Sequence, residues 1–462
     1  MPGSKTVTRP PDTTVIVGNG PAAVHACRAL RERGYGGAIH LFSDHPEPPY
    51  NPMLTPYYLA GSVERTACFP FGGREFYAAL EVEAHLGAAV VALDARAHIV
   101  ETADGYRMDY DRCLVASGAS PVLPPTPGLE GPGVFTLRTM DDADRLRRAL
   151  RAGARRAVVV GASLVGVKAA EALRTRGLDV VLVDLAPHVL PLAAGETCAR
   201  RIEACLAENG VDLHLGCELI SVSRDHEAGT PEIGGTADGD LRVELGDGPP
   251  VHADLIVVAT GVRPNLDFIE PGQVECDAGL IVDDYLRTSA PDLFAAGDVA
   301  QAPNLLTGRP EIVGLWANAC LQGRTAGRNM AAAAARSARD APLGGPAGFA
   351  ADGRAPAWAS AAAAEAYPGS VPGNVIHFFG MTFAGIGGPS GTNLLGDCTD
   401  AGVVRGALGR DACRLRSGGA DRPAAVLDVH VPQRVWAGFC DRLFEYGELG
   451  HIPERIPPKE EA

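Results

Sequence analysis

The chain has 462 residues, too many for one ordinary hydrophobic core, and at roughly 100 to 200 residues per domain this length suggests three domains. Hydrophobic residues make up 46% and charged residues 21% of the chain, the balance of a folded globular protein and not of a disordered one. The net charge of -15 argues against nucleic acid or an anionic membrane as a partner, because both select basic surfaces.

Residues Met1 to Thr14 lack the apolar core of a secretory signal, and no apolar run approaches the roughly 18 residues of a membrane span, so the chain is read as cytoplasmic with no membrane role. Eleven cysteines are scattered without a C-x-x-C pair, which supports neither a zinc ribbon nor a local redox dithiol.

The β-branched run Thr14 to Val17 leads into Gly18-Asn19-Gly20-Pro21-Ala22-Ala23 and then a helical stretch from Val24 to Arg33, which reads as strand, tight turn and helix. The glycines permit a sharp turn and close approach of a pyrophosphate, and the helix N-terminus offers free N–H groups with partial positive charge. A second strand, Ala38 to Phe42, ends at Ser43-Asp44, where a carboxylate can accept a bond from a ribose hydroxyl. His25 and His45 lie near enough to this turn to be considered for phosphate contact, although packing and surface roles are commoner for such histidines.

The pattern returns at Ala157 to Val160, followed by the turn Gly161-Ala162-Ser163-Leu164-Val165-Gly166 and a helix from Val167 to Thr175. Ser163 stands where a middle glycine is usual and supplies a hydroxyl able to donate to phosphate. The next strand, Asp179 to Val183, ends at Asp184, 23 positions after Gly161. That spacing suits an acid that holds the adenosine ribose 2′-OH and repels a 2′-phosphate, so NADH is expected and NADPH is less favoured. The alternative reading of Asp184 is an exposed aspartate at a strand end.

Three further segments have the same look of a strand running into a small-residue turn: Asp111 to Ala119, Ala253 to Asn265, and Asp292 to Val299. The first two read as crossings between domains, and the third ends in Gly297-Asp298, a carboxylate at a helix start.

With these five motifs in order, the chain from about Thr14 to Met330 resembles the FAD/NAD-linked, or pyridine nucleotide-disulfide, oxidoreductase superfamily. The resemblance implies an α/β fold with two Rossmann-like dinucleotide-binding domains and a smaller α+β C-terminal domain. The implied division is an FAD-binding part at 12–125, an inserted NAD-binding domain at 126–251, a second FAD-binding part at 252–330, an Ala/Gly/Pro-rich linker at 331–366 and a C-terminal interface domain at 367–462. Gly18, Asn19, Gly20, Pro21, Ala22, Ala23, Asp44, Asn51, Ala116, Ser117, Gly118, Gly297, Asp298 and Trp316 are then expected at FAD. For Trp316, simple core packing stands beside that role. Gly161, Ser163, Leu164, Gly166, Asp184 and Gly261 are expected at NAD.

The disulfide-reductase branches carry redox cysteine on the segment that here runs from Pro49 to Gly61 without any cysteine. Its Tyr-Asn-Pro-Met-Leu-Thr-Pro core resembles ferredoxin, rubredoxin and nitrite reductases and related NADH oxidases. In ferredoxin-reductase relatives a Lys stands where this chain has Pro56 and a Glu where it has Lys168, so the resemblance offers Lys168 as a replacement positive group near flavin or nicotinamide. The alternative is a solvated lysine on a helix face. Residues 374–380 and 381–387 read as strands of the C-terminal domain, and Arg434 to Tyr446 reads as an amphipathic helix suited to core or subunit contact, with a homodimer or a complex as outcomes.

The expected reaction is hydride transfer from NADH to FAD, followed by electron delivery straight from the flavin to an unidentified protein acceptor such as ferredoxin, rubredoxin or the redox centre of a partner subunit. Two alternatives are an NADH oxidase that reduces oxygen or a small acceptor, and a flavin-bound scaffold or redox-sensing subunit.

Overall fold

The computed structural model describes residues 12–224, 241–246, 248–340, 363–370, 372–387 and 392–397. Two compact units divide the chain. One comprises Met1–Tyr50, Phe69–Ala119 and Pro264–Ser370, and the other Asn51–Cys68, Ser120–Arg263 and Val371–Ala462.

In the first unit a five-stranded sheet runs in the order Leu293–Ala295, Arg112–Val115, Thr13–Val17, Ala38–Ser43, Val82–Leu86, with every neighbouring pair parallel. Val15, Ile16, Leu41, Leu114 and Ala295 are fully buried, as expected where helices cover both faces of a parallel sheet and strands read as continuous apolar runs. The helix Pro21–Glu32 follows the central strand and packs along the long helix Trp316–Asp340. Small residues allow the close approach, since a Cβ on Gly323 would meet the Ala22 carbonyl oxygen at 2.0 Å.

The second unit repeats the plan with a parallel sheet in the order Val211–Leu215, Asp179–Asp184, Arg156–Val160, Leu255–Val258, Val134–Phe135. A three-stranded antiparallel sheet, Leu219–Arg224, Leu241–Leu245 and Val251–Ala253, shares its core, with Val158, Ile256, Val222 and Val243 in one cluster. A further antiparallel sheet comprises Gly373–Phe378, Met381–Ile386 and Thr392–Asp397. The α/β class and the Rossmann-like repetition expected from the sequence are therefore present.

The unit edges fall elsewhere than the boundaries expected at 125/126 and 251/252, and the segment 51–68 belongs with the second unit. The reason is its anchoring to the helix Met140–Arg151. The Tyr58 hydroxyl donates to Asp144 at 2.7 Å, Arg65 pairs with the same carboxylate at 3.2 Å, and the Arg147 guanidinium lies 4.2 Å from the centre of the Tyr58 ring. The stretch 331–366, read from the sequence as a helix end followed by a linker or surface loop, opens as helix. The helix begun at Trp316 continues to Asp340 because its alanines are good helix formers and Ala331, Ala332, Ala334 and Ala335 are buried. Residues 341–362 and the amphipathic stretch 434–446 lie outside the described residues.

Candidate functional site

The two glycine turns are the same construction made twice. Gly18 has φ +114° and Gly161 φ +103°, conformations that favour glycine. A Cβ on Gly18 would meet the Ala116 carbonyl oxygen at 2.1 Å, and one on Gly161 would meet that of Ala259 at 2.5 Å. The Gly18 N–H donates to Phe42 and the Gly161 N–H to Val183, both at 2.8 Å, so each turn is tied to the next strand.

Beyond that shared frame the turns differ. At the first, Gly20 is the N-cap of the helix Pro21–Glu32 in extended conformation, with no side-chain cap. A Cβ at Gly20 would meet nothing within 4 Å. An uncapped helix N-terminus facing open space suits a diphosphate, which accepts N–H bonds and gains from the helix dipole. Ala22 and Ala23 form the buried first turn of that helix, and Pro21 sits at its start, where a missing N–H costs nothing. The Asn19 side chain is positioned within the unit, accepting from the Tyr77 hydroxyl at 2.7 Å and donating to the Glu47 carbonyl at 3.1 Å, which leaves its second amide N–H and its backbone for a ligand.

At the second turn Ser163 is the N-cap. Its hydroxyl donates to the Ala259 carbonyl at 2.9 Å and accepts from the Gly166 N–H at 3.3 Å. The hydroxyl's one proton therefore serves the turn, which corrects the sequence expectation that it donates to phosphate. Gly166 is needed for closeness, since a Cβ there would overlap the Gly161 carbonyl oxygen. Leu164 is half-buried at the start of the helix Leu164–Thr175, and Gly261 has φ +115° with nothing within 4 Å of a Cβ. Asp184 ends its strand as expected, and its carboxylate accepts the Ala162 N–H and, at 2.7 Å, the Ala186 N–H. Both bonds fix its position and leave further lone pairs for a ribose hydroxyl.

In the first unit, Ser117 and Gly118 are held by Asn265: the Ser117 hydroxyl donates to the Asn265 carbonyl at 2.8 Å, and the Asn265 amide donates to the Ser117 carbonyl at 2.9 Å. The Gly297 N–H donates to the Gln322 side chain at 2.7 Å, and a Cβ on Gly314 would lie 3.5 Å from the Asp298 carboxylate. Asp44 is exposed just past its strand, with His45 Nε2 3.9 Å from its carboxylate. Trp316 is half-buried and stacks on Phe71 at 6.1 Å, in a cluster with Phe76. His25 is buried edge-on to the same Phe71, with burial first and Arg28 and Arg324 next holding its pKa down at about 4, the packing role that the sequence allowed beside phosphate contact.

Asn51 is 1% exposed, its carbonyl oxygen accepts from the Met53 N–H at 2.9 Å, and its amide nitrogen has no protein partner among the described residues. A buried donor left in that state calls for an acceptor from outside the chain. Within the first unit, the open space at Gly20 and the uncapped helix fit the diphosphate of a dinucleotide cofactor.

Lys168 is neither solvated nor an isolated charge. Its ammonium pairs with Glu171 one turn further along the same helix, donates to the His377 carbonyl at 2.7 Å and lies 4.1 Å from the centre of the Tyr57 ring. Glu171 in turn accepts the Phe379 N–H at 2.7 Å. Sequence reasoning missed Glu171, although its spacing of three residues from Lys168 on a predicted helix is the signal that would have found it.

The described cysteines offer no redox centre of the activated kind. All but Cys276 are buried, and burial raises the thiols of Cys27, Cys68, Cys198, Cys205 and Cys320, with Cys68 pushed up to about 11. Such thiols stay protonated at neutral pH and are poor nucleophiles.

The model of the family described as pyridine nucleotide-disulphide oxidoreductase matches residues 12–323. The chain is 32% identical over 373 residues to the NADH-dependent phenylglyoxylate dehydrogenase subunit epsilon of Aromatoleum evansii, covering 81% of this chain and 78% of that one. It is also 32% identical over 295 residues to a rubredoxin-NAD(+) reductase of Pseudomonas putida, covering 64% and 73%. Among solved structures, the ferredoxin reductase for the CYP199A2 system of Rhodopseudomonas palustris aligns with a TM-score of 0.66 at 25% identity, covering 81% of each chain.

Proposed function

The chain belongs to the pyridine nucleotide-disulphide oxidoreductase family, and from that premise we propose that it is an FAD-dependent oxidoreductase that takes hydride from NADH and passes electrons to a protein acceptor without a cysteine relay. The observation that carries this reading is the pair of matching glycine turns combined with a cysteine-free segment Pro52–Ala60, where the neighbouring Cys68 is fully buried.

When bound, the flavin supplies the redox chemistry, accepting hydride from C4 of the nicotinamide and later releasing two electrons. The chain supplies binding and polarity. The open helix terminus at Gly20 to Ala23 is assigned to the FAD pyrophosphate, the Asn51 amide to an acceptor on the cofactor, and Asp298 to its polyhydroxylated chain. Gly161 to Gly166 is assigned to NADH, with Asp184 on the ribose hydroxyls, where a fixed carboxylate penalises the 2′-phosphate of NADPH.

The acceptor is proposed to be an iron–sulfur protein or the redox centre of a partner subunit. Support comes from relatives named as a subunit of an NADH-dependent dehydrogenase and as a rubredoxin reductase. The buried, protonated thiols weigh against an oxidase that uses cysteine to process peroxide. Among the described residues no helix is long and apolar enough to cross a membrane.

The test is anaerobic mixing of the yellow protein with NADH, followed by either air or a reducible iron–sulfur protein. Rapid bleaching and faster re-oxidation by the protein acceptor are expected. Failure of NADH to bleach the flavin would overturn the proposal.

A further inference from the structure

The edge of the parallel sheet in the first unit carries a side-chain group that the redox reading does not use. His40 lies on the strand Ala38–Ser43, and Glu83 and His85 lie on its parallel neighbour Val82–Leu86. The register places His40 opposite Glu83 and Phe42 opposite His85. Residues two apart on a strand share a face, so the two imidazoles and the carboxylate rise from the same side of the sheet.

Their donor atoms converge. His40 Nδ1 is 3.2 Å from His85 Nε2 and 3.5 Å from Glu83 Oε2, and His85 Nε2 is 3.6 Å from the other carboxylate oxygen, Oε1. Bonds of about 2.0 to 2.1 Å at tetrahedral angles need ligand atoms about 3.3 to 3.4 Å apart. The Nδ1–Nε2 and Nδ1–Oε2 separations bracket that value, and the second carboxylate oxygen faces the other imidazole. We propose that His40 Nδ1, His85 Nε2 and the Glu83 carboxylate form a binding site for a divalent transition-metal ion of the zinc class, with water in the remaining position.

The nitrogen donors favour this class over magnesium or calcium, which take oxygen ligands. The rings are held in place beforehand: His85 stacks on Phe42 at 4.4 Å with 8° between planes, and the His40 side chain is 10% exposed. Glu83 is 67% exposed and leaves a route for the ion from solvent. A cation would use one lone pair from each imidazole and one from the carboxylate, in place of the hydrogen bond between Nδ1 and Nε2. Bound there, it would tie the edge strand of the sheet to its neighbour.

The test is calorimetric titration of zinc chloride into tag-free, flavin-loaded protein previously dialysed against a chelator. Wild type is compared with His85→Phe, which keeps the stack on Phe42, and with the surface change Glu83→Gln. The expected result is one more zinc site in wild type than in His85→Phe, and affinity weakened about tenfold or more in Glu83→Gln, the scale on which even outer partners of metal ligands matter. Superimposable isotherms for wild type and both variants would overturn the proposal. If His85→Phe fails to retain flavin, Glu83→Gln decides alone: unchanged affinity refutes the site.

Discussion

Lys168 and Glu171 form a buried ion pair one helical turn apart, with the Lys168 ammonium also seated 4.1 Å from the centre of the Tyr57 ring. In ferredoxin-reductase relatives the resemblance places a lysine at the position of Pro56 and a glutamate at that of Lys168. In this chain both charges sit on a single helix, and the ring of Tyr57, next in sequence to Pro56, meets the cation. Glu171→Leu leaves that ammonium without its counter-charge, and a loss of about 3 kcal/mol or more is expected. The double variant Lys168→Met with Glu171→Leu is expected to recover much of the loss, as measured by denaturant unfolding of the flavin-loaded protein.

Gly20 separates cofactor binding from folding. Its backbone is extended and nothing lies within 4 Å of an added Cβ, whereas a Cβ on Gly18 would strike the Ala116 carbonyl oxygen. Gly20→Ala is therefore expected to leave the circular dichroism and melting of the cofactor-free chain unchanged while weakening FAD binding. Gly18→Ala is expected to lose both. Equal flavin content in wild type and Gly20→Ala would refute the assignment of this turn to the pyrophosphate.

Asp184 has one observed role, in the turn, and one proposed role, at the nucleotide, and one substitution reads both. Asp184→Ala removes the acceptor for the Ala162 and Ala186 N–H groups, costing about 1 to 3 kcal/mol. It also removes the charge proposed to repel a 2′-phosphate. The ratio of kcat/KM for NADPH over NADH should rise, and an unchanged ratio would show that nucleotide preference is set elsewhere.

The buried His25 makes stability depend on pH in a definite direction. Its pKa is lowered to about 4 in the folded chain from an ordinary 6.5, so the unfolded chain binds more protons between these values. Its contribution to stability is fully present above pH 6.5 and is lost as pH falls towards 4, by at most about 3 kcal/mol. His25→Leu should flatten the stability profile in that window relative to wild type, which unfolding measured from pH 4 to 7 would show.

Thiol chemistry should be dispensable. Cys276 is the exposed cysteine among those described, and Cys68, nearest in sequence to the cysteine-free segment, is buried with a raised pKa. Alkylation of the native protein and the change Cys68→Ala are both expected to leave NADH-driven reduction of an acceptor within about twofold of wild type, a surface or volume effect only. A loss of activity beyond that range on alkylation would place a thiol in the electron path.

The turns at Gly18 and Gly161 were legible in the sequence because strand, turn and helix follow each other within a few residues and their requirements are local. The same holds for Asp184 at its strand end. The setting of Lys168 was not legible, since Tyr57 and the His377 carbonyl reach it through packing between distant segments. Ser163 shows a third case: residue type allowed a phosphate bond, but an N-cap position claims the hydroxyl first. The attachment of 51–68 to the second unit likewise rests on Asp144 and Arg147, whose partners no local pattern announces.

Electrons are proposed to leave the flavin with no thiol in between. Anaerobic titration of the oxidised protein with NADH, followed by flavin absorbance, tests it most directly. With a flavin as the one two-electron centre, complete bleaching is expected at about one equivalent of NADH per flavin. A requirement for about two equivalents, with a thiolate–flavin charge-transfer band appearing after the first, would reveal a disulfide that also takes up electrons and would contradict the account.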